Sequence, residues 1–168
     1  MNDLFEGRGK FTSSEMIYDG FWKQGYCHGE GKEQWKDGSI FHGFFKKGIK
    51  DGKGKYRFFD GSQYEGDWIQ GNMDGFGAFK FINGDFYEGN FKNGKRHGRG
   101  RIAFANGGVY EGEFLNGDKS GFGVLLQENG ERFEGGFKND KMHGEGSYFD
   151  VNGIETKGKW HYGKKLVK

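Results

Sequence analysis

Proline is absent from the 168 residues, and cysteine occurs once, at Cys27. A lone cysteine excludes an intrachain disulfide. The lack of proline suits an unbroken antiparallel sheet, because proline cannot donate to a strand ladder. Branched aliphatics are scarce: Leu, Ile and Val total 16, against 31 Phe, Tyr and Trp. A core made from that mixture is a ladder of rings. No apolar stretch is long enough to span a bilayer, and the opening MNDLFEGRGK does not have the form of a secretory signal. No Asn-x-Ser/Thr sequon occurs. Together these features favour a reducing interior, the cytoplasm.

What is present in excess is glycine, with 35 residues. Glycine at this level accompanies disorder in some chains, but disordered chains are poor in aromatics, and here aromatics reach 18%. Its placement is periodic. An aromatic recurs every 23 residues at Tyr18, Phe41, Tyr64, Tyr87, Tyr110 and Phe133, with Thr156 in the seventh place. Two residues later stands a glycine each time, from Gly20 to Gly158, and two further on comes Trp22, Phe45, Trp68, Phe91, Phe114, Phe137 and Trp160. Asp-Gly or Asn-Gly closes each unit, as at Asn106–Gly107. A fixed period of this length marks a repeat array. Residues 1–168 therefore read as a single array, with full repeats starting at 18, 41, 64, 87, 110 and 133 and half repeats at 1–17 and 156–168.

Alternate residues of a strand share a face. Tyr87, Gly89 and Phe91 thus point one way, and Glu88, Asn90 and Lys92 the other. A three-residue loop with glycine in the left-handed position would set Tyr110 opposite Ile102, Gly112 opposite Gly100 and Phe114 opposite Gly98. A two-residue turn would put Tyr110 on the wrong face. Glycine opposite a ring makes room for it, which selects the longer loop. The expected fold is all-β: an elongated, single-layer, twisted antiparallel sheet of stacked hairpins. At about 4.8 Å per strand, some thirteen strands would extend roughly 60 Å. One face is aromatic and the other charged.

The YEGxF…HGxG pattern with its closing Asn/Asp-Gly resembles the MORN repeat over nearly the whole chain. Departures are local. Asp51, Asp74 and Ser120 replace the histidine, Asp140 replaces a turn glycine, and Glu33 sits where an apolar residue is usual.

No catalytic set emerges, and the chain reads as a non-enzyme without cofactor or metal. Gly89–Arg96 fits GxxxxGK but lacks the Ser/Thr and the strand-to-helix context of a phosphate-binding loop. His28 and His97 occupy one repeat position, so at about 10 Å per repeat they stand about 30 Å apart, too far to share an ion. With His143 they are expected to hydrogen-bond within their own loops. Cys27 has no fixed histidine partner and reads as an inert thiol. Charge is banded: the repeats beginning at 41 and 87 each carry +4, and residues 156–168 carry +5, within a net charge of +2. Rings and charges fall on opposite faces, which argues against single-stranded nucleic acid.

The function expected is a scaffold. A contiguous apolar surface on a soluble protein usually marks an interaction site, and the expected groove is lined by Tyr18, Trp22, Phe41, Phe45, Tyr64, Trp68, Tyr87, Phe91, Tyr110, Phe114, Phe133 and Phe137. Its occupant would be an amphipathic helix or extended segment of a partner protein. The resemblance implies a cytoskeletal, ciliary or flagellar setting. It also implies two alternatives: acidic phospholipid binding through Lys95, Arg96, Arg99 and Arg101 as a membrane tether, or regulation of a separate enzyme chain. A second contact surface is expected on the charged face at Leu115, Phe122, Val124 and Leu126, with a weaker version at Ile69, Phe76 and Ala78. The last strand, Thr156–Trp160, is expected to lack a return strand. Lys157 and Lys159 guard that edge, or it pairs with a second copy. Terminal pairing in other MORN proteins favours self-association.

Overall fold

The computed structural model describes residues 4–167, which contain strands and turns and no helix. Fifteen strands lie in chain order in an antiparallel sheet. The chain divides into two compact units, Met1–Ile82 and Asn83–Lys168. The first unit holds β1 (Gly7–Thr12), β2 (Met16–Lys23), β3 (Tyr26–Trp35), β4 (Ile40–Lys46), β5 (Ile49–Arg57), β6 (Gln63–Ile69) and β7 (Asn72–Lys80). The second holds β8 (Phe86–Lys92), β9 (Lys95–Ala103), β10 (Val109–Leu115), β11 (Asp118–Leu126), β12 (Arg132–Lys138), β13 (Lys141–Phe149), β14 (Glu155–His161) and β15 (Lys164–Lys165).

Two kinds of turn alternate. Inside a repeat the hairpin closes on two residues with positive φ, such as Asn116 at 54° and Gly117 at 105°. Such primed turns match the right-handed twist of the strands they join. Where Asp140 replaces the glycine, Asn139 and Asp140 take φ of 49° and 65°, values that Asn and Asp tolerate better than other side chains. Between repeats the loop has three residues. In one of these, the Phe104 N–H donates to Gly108 O at 2.8 Å and the Gly107 N–H to Phe104 O at 2.9 Å. Gly107 stands at φ 96°, and Asn106 Oδ1 accepts the Gly108 N–H at 3.1 Å. This loop delivers the expected register: Tyr110 faces Ile102, Gly112 faces Gly100 and Phe114 faces Gly98.

Simple alternation did not reveal a bulge inside each hairpin. In β8–β9, Gly89 pairs with Gly100 but Phe91 pairs with Arg96, so Asn90 faces three residues. Two extra residues preserve the parity, and every ring stays on its face. The break leaves backbone groups to satisfy. The repeat's tyrosine donates to the carbonyl three residues on: Tyr18 to Phe21 O at 2.8 Å, Tyr64 to Asp67 O at 2.9 Å, Tyr87 to Asn90 O at 2.8 Å and Tyr110 to Glu113 O at 2.9 Å. Asp67 Oδ2 and Glu113 Oε1 accept the Phe76 and Phe122 N–H groups at 2.9 and 3.2 Å. Leaving such groups unpaired would cost about 1–3 kcal/mol each, which accounts for the choice of tyrosine over phenylalanine in four repeats.

The C-terminal edge differs from expectation. A turn at Tyr162–Gly163, with φ of 46° and 89°, starts a short return strand. It pairs Trp160 with Lys165 and His161 with Lys164, and the Leu166 N–H reaches Lys159 O at 2.8 Å. The same turn chemistry that closes the full repeats therefore covers part of the last strand.

Candidate functional site

The twelve groove aromatics are the core rather than an open lining. Tyr18, Phe41, Tyr87, Tyr110 and Phe133 are fully buried, Phe45, Tyr64, Trp68, Phe91, Phe114 and Phe137 are nearly so, and Trp22 is half-buried. They pack edge to face. In the first unit Phe41 meets Phe45 and Trp68, each at 5.2 Å; in the second Tyr110 meets Phe114 at 5.2 Å and Phe137 at 4.9 Å. Each opening ring lies flat over a glycine pair. A Cβ at Gly123 would come within 2.5 Å of Tyr110 Cε2 and Oη. Glycine thus lets the first ring sink to the backbone, and the rings fill the space that an open trough would have left for a ligand.

The accessible part of the ring face comes from the return strands. In the first unit Trp35, Tyr56, Phe58, Phe79 and Phe81 are half-buried. Their rings run continuously, at 5.6, 4.3, 5.6 and 4.5 Å between successive members. The residues that follow Phe58 and Phe81 in their loops are exposed, Phe59 at 75% and Ile82 at 71%. Sequence reasoning passed over this second ladder, although Trp35, Phe58, Phe81 and Phe104 recur at the same 23-residue spacing. In the second unit the equivalent margin thins to Phe104, Leu125 and Tyr148, all half-buried.

The expected separation of rings and charges onto opposite faces is incomplete, because long basic side chains at one repeat position lie over the rings. Lys50 Nζ lies 3.0 Å from Glu33 Oε2 and 4.6 Å from the Trp35 ring centre. That pairing explains the carboxylate found where an apolar residue is usual. In the second unit Arg96 Cζ lies 5.2 Å from the Phe114 ring and donates through Nη2 to Gly117 O. Lys119 Nζ lies 5.6 Å from the Tyr110 ring. Burial pushes the Lys119 ammonium below its ordinary pKa, against the attraction of Asp140.

The four basic residues proposed for phospholipid do not form one cluster. Arg96 shares the ring face with its register partner Phe91, whereas Lys95 pairs with Lys92 on the polar face. Arg99 stands opposite Glu113, and Arg101 lies between Glu88 and Glu111. Acidic neighbours therefore divide the band. On that polar face Leu115, Phe122 and Leu126 are exposed at 52%, 62% and 40%, and Val124 is half-buried. Phe122 lines a hollow of about 1070 Å³ with Glu134, Glu145, Ser147, Lys157 and Lys159. Ile69 and Phe76 are each 52% exposed, and Ala78 is half-buried.

The histidines do not make the expected loop hydrogen bonds. His143 packs at a tilt against His161 at 5.2 Å and Tyr162 at 4.8 Å, and its Nδ1 is buried without a hydrogen-bond partner. The short return strand brings those rings together. Burial, aided by Glu33, pushes the Cys27 thiol up, which disfavours the reactive thiolate. Among the described residues no three His, Cys, Asp or Glu side chains group as metal ligands.

The repeat phase, the glycine-seated rings and the bulge-bonded tyrosines recur together. The sequence model of the MORN repeat matches residues 1–15, 18–40, 41–63, 64–86, 87–109, 110–132 and 133–154. The chain belongs to the MORN-repeat family. The matched MORN repeats start at residues 1, 18, 41, 64, 87, 110 and 133. No curated protein matches the chain. Among solved structures, the TCP domain of Drosophila melanogaster SAS-4 (dCPAP), in complex with a proline-rich motif of Ana2 (dSTIL), is similar at TM-score 0.52 and 10% identity. That match covers 91% of this MORN array and 90% of the TCP domain chain. The TCP10 domain of Danio rerio CPAP, in complex with a peptide of Danio rerio STIL, is similar at TM-score 0.50 and 13% identity, covering 91% of this chain and 74% of that one. At these identities the likeness is one of fold.

Proposed function

We propose that this MORN array is a non-catalytic scaffold that holds a segment of a partner protein against its ring face. The observation that carries the reading is the second ladder of the first unit. Five half-buried rings, Trp35 to Phe81, follow one another in ring contact, and the loops that carry Phe58 and Phe81 also carry the exposed Phe59 and Ile82. Apolar surface of this continuity is costly to leave in water and favours a covering partner. The peptide complexes of the two similarly folded domains support the same use of an open sheet. The family resemblance supports a cytoskeletal setting.

Two labelled peptides test this on the full chain by fluorescence anisotropy. One is a neutral helix with a leucine stripe, and the other is a proline-rich segment suited to aromatic grooves. Saturable binding of either, weakened in a Phe59→Ser, Ile82→Ser variant with an unchanged melt, supports the ladder as the site. Absence of binding by both sinks the reading.

A further inference from the structure

If the sheet holds a peptide as proposed above, two cations of the second unit define the chemistry of that partner. Arg96 and Lys119 occupy one repeat position in the second unit, both half-buried on the ring face. Among the described residues no carboxylate lies within 4.0 Å of either cation. Asp140, the acidic group nearest in influence to Lys119, spends an oxygen on the Lys119 backbone N–H at 2.9 Å. Charge partly withdrawn from water without an ionic partner is unfavourable, and a matching carboxylate relieves it.

The first unit shows the same position with its partner in place. Lys50 lies over the Trp35 ring, and Glu33, on the preceding return strand, supplies the carboxylate at 3.0 Å. The Glu33 position becomes Tyr56, Phe79, Ile102, Leu125 and Tyr148 in later repeats. None of these can ionise in Glu33's place at neutral pH, so in the second unit the cations are seated over rings with no carboxylate at the Glu33 position, and the attraction Lys119 feels comes from Asp140, which is hydrogen-bonded to its backbone.

We infer that the ring face of the second unit binds an acidic amphipathic helix, whose carboxylates sit over Arg96 and Lys119 as Glu33 sits over Lys50. Equivalent positions two strands apart are about 10 Å apart. A helix rises about 1.5 Å per residue, so acidic residues seven apart on one face span that distance. Apolar residues beside them would meet the half-buried Phe104 and Leu125. An anionic bilayer fits less well. The two cations sit low among rings, and the remaining basic residues of the band face the other way among Glu88, Glu111 and Glu113.

The test uses the full chain and a matched pair of labelled helical peptides with a leucine stripe, one carrying Glu at i and i+7, the other Gln. The variant is Arg96→Met, Lys119→Met. Repeats three and six already place Met73 and Met142 at this position, so the fold accommodates the change, and a thermal melt checks it. The Glu peptide is expected to bind about tenfold or more tighter than the Gln peptide, a margin that one charge-assisted contact can supply. The double variant should erase that margin, as should high salt. Equal affinity for the two peptides, or a margin that survives the variant, overturns the inference while leaving the scaffold reading intact. Failure of both peptides, together with failure of the neutral probes at the first unit, removes both. Binding to phosphatidylserine vesicles that depends on Arg96 and Lys119, without a Glu-over-Gln preference, also overturns it and assigns the cations to lipid.

Discussion

Substituting Gly123 by alanine probes the device on which every repeat depends. Gly123 pairs with Gly112 across β10–β11, and the Tyr110 ring covers them. An alanine Cβ would lie 2.5 Å from Tyr110 Cε2 and Oη and 2.6 Å from Cζ. Ordinary contact needs about 1 Å more, and the ring has nowhere to go. Tyr110 is fully buried between Phe114 at 5.2 Å and Phe137 at 4.9 Å. Overpacking of this kind costs about 1–3 kcal/mol. Displacing the hydroxyl from Glu113 O, now at 2.9 Å, adds about 1 kcal/mol. The expected loss is therefore about 2–4 kcal/mol. Gly107→Ala is the control. Gly107 has φ 96° with open space around its Cβ position, so only backbone strain of about 1–2 kcal/mol applies. Urea melts would rank the two variants, and hydrogen exchange would locate the loss, because repeat arrays couple chiefly to their neighbours. Shrinking the ring with Tyr110→Leu should make the two substitutions less than additive. A Gly123→Ala protein as stable as Gly107→Ala, or strict additivity with Tyr110→Leu, would refute the seating of rings on glycine.

Tyr87→Phe removes the hydroxyl that serves Asn90 O at 2.8 Å and should destabilise by about 1 kcal/mol; an unchanged melt would show that water serves that carbonyl equally well. Lys119→Met should be neutral or stabilising near neutral pH. Because burial holds the folded pKa of Lys119 below its unfolded value, the unfolded chain binds more protons between those two values. Stability therefore rises with pH across that alkaline window, and the methionine variant should lack this rise. A variant that melts lower and keeps the full rise would contradict the assignment. Phe122→Lys with Leu126→Lys tests the polar-face patch: a loss of assembly or partner binding with an unchanged melt is expected from a docking surface, and no change in either identifies plain surface.

Much of the fold was legible in the residues alone. A strict 23-residue phase, glycine opposite rings and Asn/Asp-Gly at the loops leave one register that keeps the rings on one face, and the pairing of Tyr110 with Ile102 follows from loop parity. Periodicity encodes which residues share a face because strand geometry is local. It does not encode how deeply each sinks. Only the tertiary structure decided that the YEGxF rings, seated on paired glycines, fill their own space and leave the return-strand rings half-exposed. It also decided that Arg96 parts company with Arg99 and Arg101, and that Glu33 answers Lys50 from seventeen positions away. Exposure and charge pairing are set by neighbours distant in sequence, and a bulge or a short return strand such as Lys164–Lys165 rearranges those neighbours without disturbing the repeat.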